Sequence, residues 1–294
     1  MTGIETLAEI LTLEPIEMNL FRGFSPTGGP PRIFGGQVVA QALTAAYETV
    51  PERICHSLHC YFIHPGDPSV PILYEVDRAR DGASFTTRRV TAIQHGRQIF
   101  NLAASFHVME HGIEHQSTMP AVQPPNLAPP RPLGPPSPGL DSQPAYRPFQ
   151  IRLVRPAEGN ASSGDQAWMR ARVGIGDRPR MHQAALAYAS DLMLLGAAIR
   201  PHDIDWGTPG LQFASLDHAI WFHRPTDFNQ WHLYVQDSPS ASGARGFTRG
   251  ELFSQDGVLV ASVAQEGLIR LPPQIRPSSV PSETSTGRTT TKRP

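Results

Sequence analysis

One run of this chain carries apolar residues on every side of a helical wheel. Between Arg180 and Arg200 the sequence reads RMHQAALAYASDLMLLGAAIR, and this pattern predicts a long helix from Met181 to Ile199 that is buried nearly all round. Asp191 is the only carboxylate in the run. An ionised carboxylate is costly among apolar groups unless polar partners meet it. Asp191 therefore either faces solvent on a wet edge of the helix, or is held by other polar groups as a general base.

A second helix is predicted nearer the N-terminus, and the residues that follow the two helices repeat one another. The earlier helix spans residues 35–50, GGQVVAQALTAAYETV. Each helix precedes a strand that runs into an aromatic residue, a His and a Pro, as HSLHCYFIHP (His56–Pro65) and LDHAIWFHRP (Leu216–Pro225). Further strand-like runs follow, and a His-Gly or an Asp-Gly dipeptide predicts a hairpin before the last strand. The copies lie roughly 160 residues apart, which indicates a duplication of one unit.

The order of these elements predicts an α+β fold. In each unit an antiparallel sheet is wrapped around one long buried helix, and pairing the free edges of the two sheets would protect both. The density of prolines predicts an extended linker between the units. We therefore divide the chain into an N-terminal unit (1–110), the linker (111–149), a C-terminal unit (150–271) and a disordered tail rich in Ser, Thr and Pro (272–294).

Charge and composition exclude several classes of partner. The formal net charge is −1 and the sequence pI is near 6.9, so nothing favours nucleic acid or an anionic membrane surface. No apolar stretch is long enough to span a membrane, and the N-terminus carries acidic residues where a signal peptide carries basic ones. The two cysteines, Cys55 and Cys60, fit neither a zinc site nor a disulfide framework, which predicts a reduced, cytoplasmic protein. No metal-binding pattern is present, and no metal is expected.

Four segments of the two units resemble the type II acyl-CoA thioesterases, the TesB-like family. They are FGGQVVAQAL (Phe34–Leu43), HPGDPSVPILYEVDRARDGASFTTRRV (His64–Val90), SLDHAIWFHRP (Ser215–Pro225) and SASGARGFTRGELFSQDGVLVASVAQEG (Ser240–Gly267). The resemblance implies a double hotdog fold, with two sheets each around one helix. It also implies hydrolysis of fatty acyl-CoA to free fatty acid and coenzyme A, without a cofactor. Further association into a homo-oligomer is a family-based expectation that the residues themselves leave open.

The resemblance also assigns catalytic residues, all of them in the C-terminal unit. The Asp, hydroxyl and Gln that hold a nucleophilic water in the family fall on Asp191, Ser215 and Gln265. The chemistry agrees with a water nucleophile, because the chain lacks the G-x-S-x-G sequence of serine hydrolases. The carboxylate can accept the proton of the water while the hydroxyl and the amide orient it. Aligning the two units places Ala104 where Gln265 stands, so the N-terminal unit is expected to lack catalytic residues.

The Gly35-Gly36-Gln37 sequence at the start of the first helix is a candidate substrate-binding element. The N-terminus of a helix presents free N–H groups and a partial positive charge, and glycines let a ligand carbonyl approach closely. We expect this helix start to polarise the thioester carbonyl across an interface from Asp191. The two glycines are equally compatible with a role in close packing alone.

Two other functions stay open at the level of sequence. A catalytically inactive acyl-CoA-binding hotdog protein would share the fold, yet it would not need all three polar residues. The run His64–Pro71 resembles the motif of hotdog enoyl-CoA hydratases, but such an enzyme would need a His five residues after Asp67, where Ile72 stands. Release of free thiol from acyl-CoA distinguishes a thioesterase from the inactive binding protein.

Overall fold

Two long helices and one continuous antiparallel sheet form the framework of the described part of this protein. The computed structural model describes residues 4–26, 29–131, 147–154, 166–202, 204 and 207–272. Residues 132–146 of the predicted linker, and the predicted disordered tail beyond residue 272, lie outside the described residues. Within the described part of the chain, no helix is long and apolar enough to cross a membrane.

The first half contains two helices and six strands. In chain order they are α1 (Leu7–Leu11), β1 (Glu14–Glu17), β2 (Leu20–Gly23), α2 (Gly35–Tyr47), β3 (Ile54–Phe62), β4 (Ile72–Asp81), β5 (Phe85–Gln94) and β6 (Arg97–His107). The turn between β5 and β6 contains His95 and Gly96, both with positive φ, as a tight hairpin requires.

The second half repeats this arrangement around its own helix. Its elements are β7 (Phe149–Leu153), β8 (Gln166–Ala171), α3 (Pro179–Ser190), two short 3-10 helices (Leu194–Ala198 and Arg200–His202), β9 (Gln212–Ser215), β10 (Asp217–Phe222), β11 (His232–Ser242), β12 (Arg245–Ser254) and β13 (Leu259–Arg270). Gly257, with φ of 83°, lies in the turn that joins β12 to β13.

The two halves share one sheet because β3 pairs with β10. The strand order is β1-β2-β4-β5-β6-β3-β10-β13-β12-β11-β8-β7, and β9 pairs with the end of β13. In the central pair, Cys60 lies opposite His218 and Leu58 opposite Ile220. The predicted joining of two sheet edges is therefore found here, and it supplies the backbone hydrogen bonds that both edges would otherwise lack.

The two long helices contact each other inside the same core. One hydrophobic cluster includes Val39 and Leu43 of α2, Ala185 and Leu186 of α3, and strand residues from both halves. The Tyr47 hydroxyl, at the end of α2, donates a hydrogen bond to Gln183 Oε1 in α3. Each helix therefore buries one side against its own sheet strands and another against its counterpart, which explains why apolar residues surround both.

The predicted continuous helix from Met181 to Ile199 is wrong, since α3 ends at Ser190. Asp191 is its C-terminal cap, and Met193 adopts a left-handed conformation with φ of 68° before the chain continues as a 3-10 helix. Two side chains of β11 donate hydrogen bonds to backbone carbonyl oxygens at this helix end. The Tyr234 hydroxyl donates to the Ser190 carbonyl oxygen at 2.6 Å, and Gln236 Nε2 donates to the Leu192 carbonyl oxygen at 3.1 Å. The apolar pattern conceals the break because the 3-10 helix is equally buried.

The described part of the linker packs against the second half of the sheet. Ala128 joins a small apolar cluster with Trp168, Leu233 and Phe253, and the Trp168 indole N–H donates to the Gln123 carbonyl oxygen at 2.8 Å. Pro130 forms a β-bridge with Arg152 of β7. The described part of this stretch contains no regular helix, and it covers apolar side chains of the sheet.

Candidate active site

Asp191 lies where the end of α3 meets the start of α2. As the C-terminal cap of α3, it adopts φ of −82° and ψ of −11°. A Cβ atom placed on Gly35 would lie 2.8 Å from Asp191 Oδ2, and one placed on Gly36 would lie 3.2 Å from Asp191 Cβ. Asp191 is partly buried, and its carboxylate faces the N-terminus of the other helix.

Three polar groups from three different elements meet at this carboxylate. Gln265 Nε2, on β13, donates to Asp191 Oδ1 at 2.9 Å and also to Ser215 Oγ. The Ser215 hydroxyl, at the end of β9, lies 3.5 Å from Asp191 Oδ1. The backbone N–H of Gly36 donates the remaining hydrogen bond. The structure thus brings Asp191, Ser215 and Gln265 together, although the first and last are 74 residues apart.

Pairing between β9 and β13 positions the hydroxyl beside the amide. Ser215 lies opposite Gly267 in the antiparallel register, two residues beyond Gln265. The Gln265 side chain is 1% exposed, whereas Ser215 is partly buried. Alternation along β13 points Gln265 inward with Leu259, Ala261 and Val263. The amide therefore ends an apolar face of the strand at the point where it reaches Asp191.

Burial raises the pKa of Asp191 to about 6, against an ordinary value of 3.8. The hydrogen bonds from Gln265, Gly36 and Ser215 oppose this rise because they stabilise the charged form. The positive end of the α2 dipole acts in the same direction, whereas the C-terminus of α3 acts against it. The result is a carboxylate that is ionised at neutral pH and yet basic enough to take up a proton.

The remaining candidate residues at the start of α2 differ in what they contact. A Cβ on Gly36 would collide with the Tyr188 carbonyl oxygen and with Phe34, so this position requires close approach of the two helices. The Gln37 side chain turns away from Asp191, and its Nε2 donates to Ser25 Oγ at 2.8 Å and to the Phe24 carbonyl oxygen at 3.3 Å. Polarisation of a thioester by this helix start stays a prediction.

Two cavities flank the chain segment that leads into α2. One, of about 360 Å³, reaches two of the candidate residues, Gly35 and Ser215, and is also lined by Arg32, Val38, Phe62, His64, Ile99, Phe100 and Phe213, among others. The other, of about 300 Å³, is lined by Ser25, Arg32, Phe34, Gln37, Tyr188 and Leu192, among others. Most of the lining of both is apolar. This arrangement can accept a ligand with an apolar portion beside Ser215 and the start of α2, and Arg32 borders both cavities.

The corresponding place in the first half holds a different set of residues. Arg88 lies opposite Ala104 in the β5–β6 pair, as Thr248 lies opposite Gln265 in the β12–β13 pair. The Arg88 side chain is 1% exposed and donates to Thr49 and to Asp81. Tyr47 ends α2 and Asp191 follows the end of α3. The C-terminal cap of α2 is Glu48, which is exposed, so the first half presents neither an amide nor a buried carboxylate at these equivalent positions.

One residue beside this site was not singled out by the sequence pattern. His218 is 1% exposed, and its Nε2 lies 2.8 Å from Ser190 Oγ. The register of the duplicated strands could have indicated its place, because His218 and Gln265 occupy facing strands. No group of three His, Cys, Asp or Glu residues that could hold a metal ion occurs among the residues described.

Two family models match the sequence. Residues 23–107 match a model described as the acyl-CoA thioesterase N-terminal domain, and residues 141–268 match one described as acyl-CoA thioesterase. Among curated proteins, the chain is 42% identical over 288 residues to acyl-CoA thioesterase 2 of Haemophilus influenzae, covering 91% of this chain and 98% of that protein. It is 40% identical over 297 residues to acyl-coenzyme A thioesterase 8 of Homo sapiens, covering 92% of this chain and 91% of the relative.

Solved structures show the same similarity. An acyl-CoA thioesterase II, TesB2 of Mycobacterium marinum, aligns with a TM-score of 0.78 at 44% identity, over 92% of this chain and 100% of that one. A protein of unknown function with a hot dog fold, from Alicyclobacillus acidocaldarius, aligns with a TM-score of 0.72 over 90% of this chain and 98% of that one. At 22% identity the second likeness concerns the fold alone.

Proposed function

Because this chain belongs to the acyl-CoA thioesterase family, we propose that it hydrolyses fatty acyl-CoA with a water molecule held by Asp191, Ser215 and Gln265. It is a double hotdog thioesterase of the type II, TesB-like group. Hydrolysis of acyl-CoA is the activity of that family, and the fatty acyl group and the three partners of the water are our proposal. An inactive acyl-CoA-binding protein and an enoyl-CoA hydratase are not favoured.

The observation that carries this proposal is one carboxylate with three donors. Asp191 accepts hydrogen bonds from Gln265, Ser215 and the Gly36 N–H at a boundary between two helices. A structural carboxylate would be expected to meet a cation, and no ion pair of Asp191 occurs among the described residues. Groups arranged in this way can share a water among acceptor, hydroxyl and amide.

The proposed reaction begins with proton transfer from the water to Asp191. The resulting hydroxide oxygen bonds to the thioester carbonyl carbon, and the carbonyl electron pair moves to oxygen to give a tetrahedral intermediate. Its collapse re-forms the carbonyl and breaks the C–S bond, and the proton held by Asp191 passes to the leaving thiolate. The products are a free fatty acid and coenzyme A. An Asp191 pKa of about 6 suits both halves of this cycle, since general catalysts work best near the operating pH.

The start of α2 is proposed to stabilise the oxyanion of this intermediate. In the free enzyme the Gly36 N–H donates to Asp191. When Asp191 takes up a proton, its oxygen becomes a poorer acceptor at the moment that negative charge builds on the thioester oxygen. The N–H and the positive end of the helix then have a stronger acceptor in the substrate. The Gly35-Gly36-Gln37 segment would thus act through its backbone.

The apolar linings of the two cavities support an acyl substrate. The larger cavity contains Phe62, Phe100 and Phe213 beside Ser215, and Arg32 and His64 lie on the same cavity. We propose that the acyl chain contacts the aromatic part of this lining. The positive charge of Arg32 suits the coenzyme A moiety, whose phosphates are anionic.

The assembly and the compartment of the enzyme are further proposals. Tyr61 and Trp221 are exposed large side chains on the two strands that join the halves, and such side chains favour contact between copies. We propose a homo-oligomer, to be tested by light scattering, where a mass equal to that of one chain would reject it. We propose a reducing, cytoplasmic location because Cys55 and Cys60 are both buried free thiols. Fractionation of cells that express the native protein tests this location.

The deciding experiment measures thiol release from a series of acyl-CoA substrates of increasing chain length. We expect saturable release by the native enzyme and at least about 100-fold slower release by Asp191→Asn. Binding of acyl-CoA to both proteins, followed by calorimetry, should be similar. Saturable binding without thiol release at any chain length would favour the inactive binding protein instead.

A further inference from the structure

A fully buried histidine lies next to the candidate catalytic amide and takes no part in the mechanism above. His218, on β10, is 1% exposed. In the β10–β13 pair Ala219 lies opposite Ala264, and continuing this antiparallel register by one residue brings His218 opposite Gln265. Residues opposite each other on adjacent strands point to the same side of the sheet, with Cβ atoms about 5 Å apart. The imidazole and the amide are therefore neighbours in the core.

Both of these side chains have a polar atom that lacks a partner. Among the described residues, buried side-chain atoms without a hydrogen bond are His218 Nδ1, Gln265 Oε1 and Gln236 Oε1. Two of the three thus belong to this one pair of facing residues. Buried polar atoms are nearly always paired, so two of them on adjacent side chains point to an interaction between them.

The two protons of the Gln265 amide are already used. Its Nε2 donates to Asp191 Oδ1 and to Ser215 Oγ, which leaves Oε1 in need of a donor. Burial lowers the pKa of His218 to about 4, while the Gln265 side chain opposes that shift. The ring is therefore neutral at physiological pH and carries one proton.

The neighbours of the ring decide which nitrogen carries that proton. His218 Nε2 lies 2.8 Å from Ser190 Oγ, and the Ser190 hydroxyl can donate to it or to the Ala187 carbonyl oxygen at 3.0 Å. With the proton on Nδ1, Nε2 accepts from Ser190 and Nδ1 can donate to Gln265 Oε1. With the proton on Nε2, the lone pair of Nδ1 would face the lone pairs of Oε1, which is repulsive. The tautomer protonated on Nδ1 leaves each of these atoms a suitable partner.

We propose that His218 is a positioning residue, whose Nδ1–H holds the Gln265 Oε1 atom so that the Nε2 group faces Asp191 and Ser215. This inference rests on the proposed catalytic role of those residues. The two ends of an amide differ only in which atom donates, and without a partner at Oε1 only the contacts of Nε2 keep the amide from turning over. A reversed amide would present its oxygen to the Asp191 carboxylate, which is electrostatically unfavourable and removes a donor from it.

Three other titratable groups around Asp191 do not change their charge in the pH range where Asp191 titrates. Burial raises the pKa of the Cys60 thiol on β3, the Tyr188 hydroxyl on α3 and the Tyr234 hydroxyl on β11. All three therefore stay neutral in mildly acidic solution. Burial also raises the pKa of Asp217 on β10, where the nearby Glu266 of β13 adds to the rise. A shift in the Asp191 titration on changing His218 would thus report on hydrogen bonding, since the ring itself is uncharged.

The test compares His218→Leu with His218→Asn, because an Asn side-chain N–H can replace Nδ1–H whereas Leu offers no donor. We expect His218→Leu to lower kcat at least about 10-fold and to move the acidic limb of the kcat pH profile to higher pH. His218→Asn should keep the limb near its native position and recover a large part of kcat. A matched control is His232→Asn, since His232 is also buried in the second half but bonds to Thr226. His232→Asn should leave the acidic limb of the kcat pH profile unchanged.

A double substitution separates positioning from a general loss of packing. In a Gln265→Ala background, His218→Leu should cost no further kcat, because the amide that it orients is gone. Equal losses in both backgrounds, with an unmoved acidic limb, would overturn the proposal. Should His218→Leu fail to fold, nitrogen NMR of the native enzyme gives an independent result: a ring protonated on Nε2 refutes the role. Native turnover by Asp191→Asn would instead refute the proposed function itself.

Discussion

The backbone N–H of Gly36 donates a hydrogen bond to the Asp191 carboxylate, so helix α2 begins at the charged group where helix α3 ends. The C-terminus of a helix is an unfavourable place for a negative charge, and the N-terminus is a favourable one. The Asp191 carboxylate lies at the C-terminus of α3 and at the N-terminus of α2, and burial acts on it as well. Only contact between the two duplicated units creates this balance, because neither helix supplies it alone.

Replacing Asp191 with Asn should abolish most turnover while leaving the fold intact. Asn keeps the shape of the side chain but cannot accept the proton of the water, so kcat should fall by at least about 100-fold with little change in KM. Steady-state kinetics with acyl-CoA tests this, and near-native kcat would remove Asp191 from the mechanism.

The same substitution should stabilise the protein at neutral pH. Because burial raises the pKa of Asp191 from 3.8 to about 6, folding favours its protonated form, and the ionised form is a cost. That cost to the free energy of unfolding is absent below pH 3.8, grows between pH 3.8 and about 6, and is constant at higher pH. At pH 8 it amounts to about 3 kcal/mol of unfolding free energy. Denaturant unfolding of wild type and Asp191→Asn at pH 8 and at pH 4 should show the gap narrowing in acid.

Turnover should fall in acid with a midpoint near pH 6, and loss of the Gln265 amide should move that midpoint upward. The amide hydrogen bond lowers the pKa of Asp191, so Gln265→Ala leaves the carboxyl group easier to protonate. The pH dependence of kcat measures this for both proteins. Ser262→Ala is a suitable control, because Ser262 is on the same strand and its hydroxyl contacts His223. A lower midpoint in Gln265→Ala would contradict the assigned role.

Losses from Ser215→Ala and Gln265→Ala should not add. Both groups are proposed to orient one water, so removal of either leaves it poorly held and removal of both costs little more. Each single variant should lose less kcat than Asp191→Asn. Comparing the double variant with the two single ones tests this. Strictly multiplicative losses would indicate that the hydroxyl and the amide act on different steps.

Adding a methyl group at Gly36 should separate the two helices. The new Cβ would collide with the Phe34 ring and with the Tyr188 carbonyl oxygen. The carbonyl oxygen belongs to the backbone, so it cannot move aside as a flexible side chain can. We expect Gly36→Ala to cost about 1–3 kcal/mol of unfolding free energy and to reduce kcat, because the N–H moves away from Asp191. Gly112→Ala is the control, since no atom lies within 4 Å of its new Cβ. Native stability and kcat in Gly36→Ala would show that the contact is dispensable.

The chain sequence alone determined the duplication, the two apolar helices and the presence of one carboxylate among apolar residues at Asp191. These are properties of local pattern: the period of the apolar residues shows which faces are buried, and Asp191 stands out because its neighbours are apolar. The resemblance to known thioesterases then singled out Ser215 and Gln265. The residues themselves offered no reason to choose that serine, because a hydroxyl in a strand has no distinctive local pattern.

Tertiary structure alone decided where the helix stops and which groups meet. The break after Ser190 depends on Tyr234 and Gln236, which are more than 40 residues away. Their side chains donate hydrogen bonds to backbone carbonyl oxygens at the end of the helix. The Gly36–Asp191 hydrogen bond and the facing of His218 and Gln265 likewise depend on strand register and on the contact between α2 and α3. A local pattern records burial but not the identity of the partner, and at this site the partners set the pKa of Asp191 and the orientation of the amide.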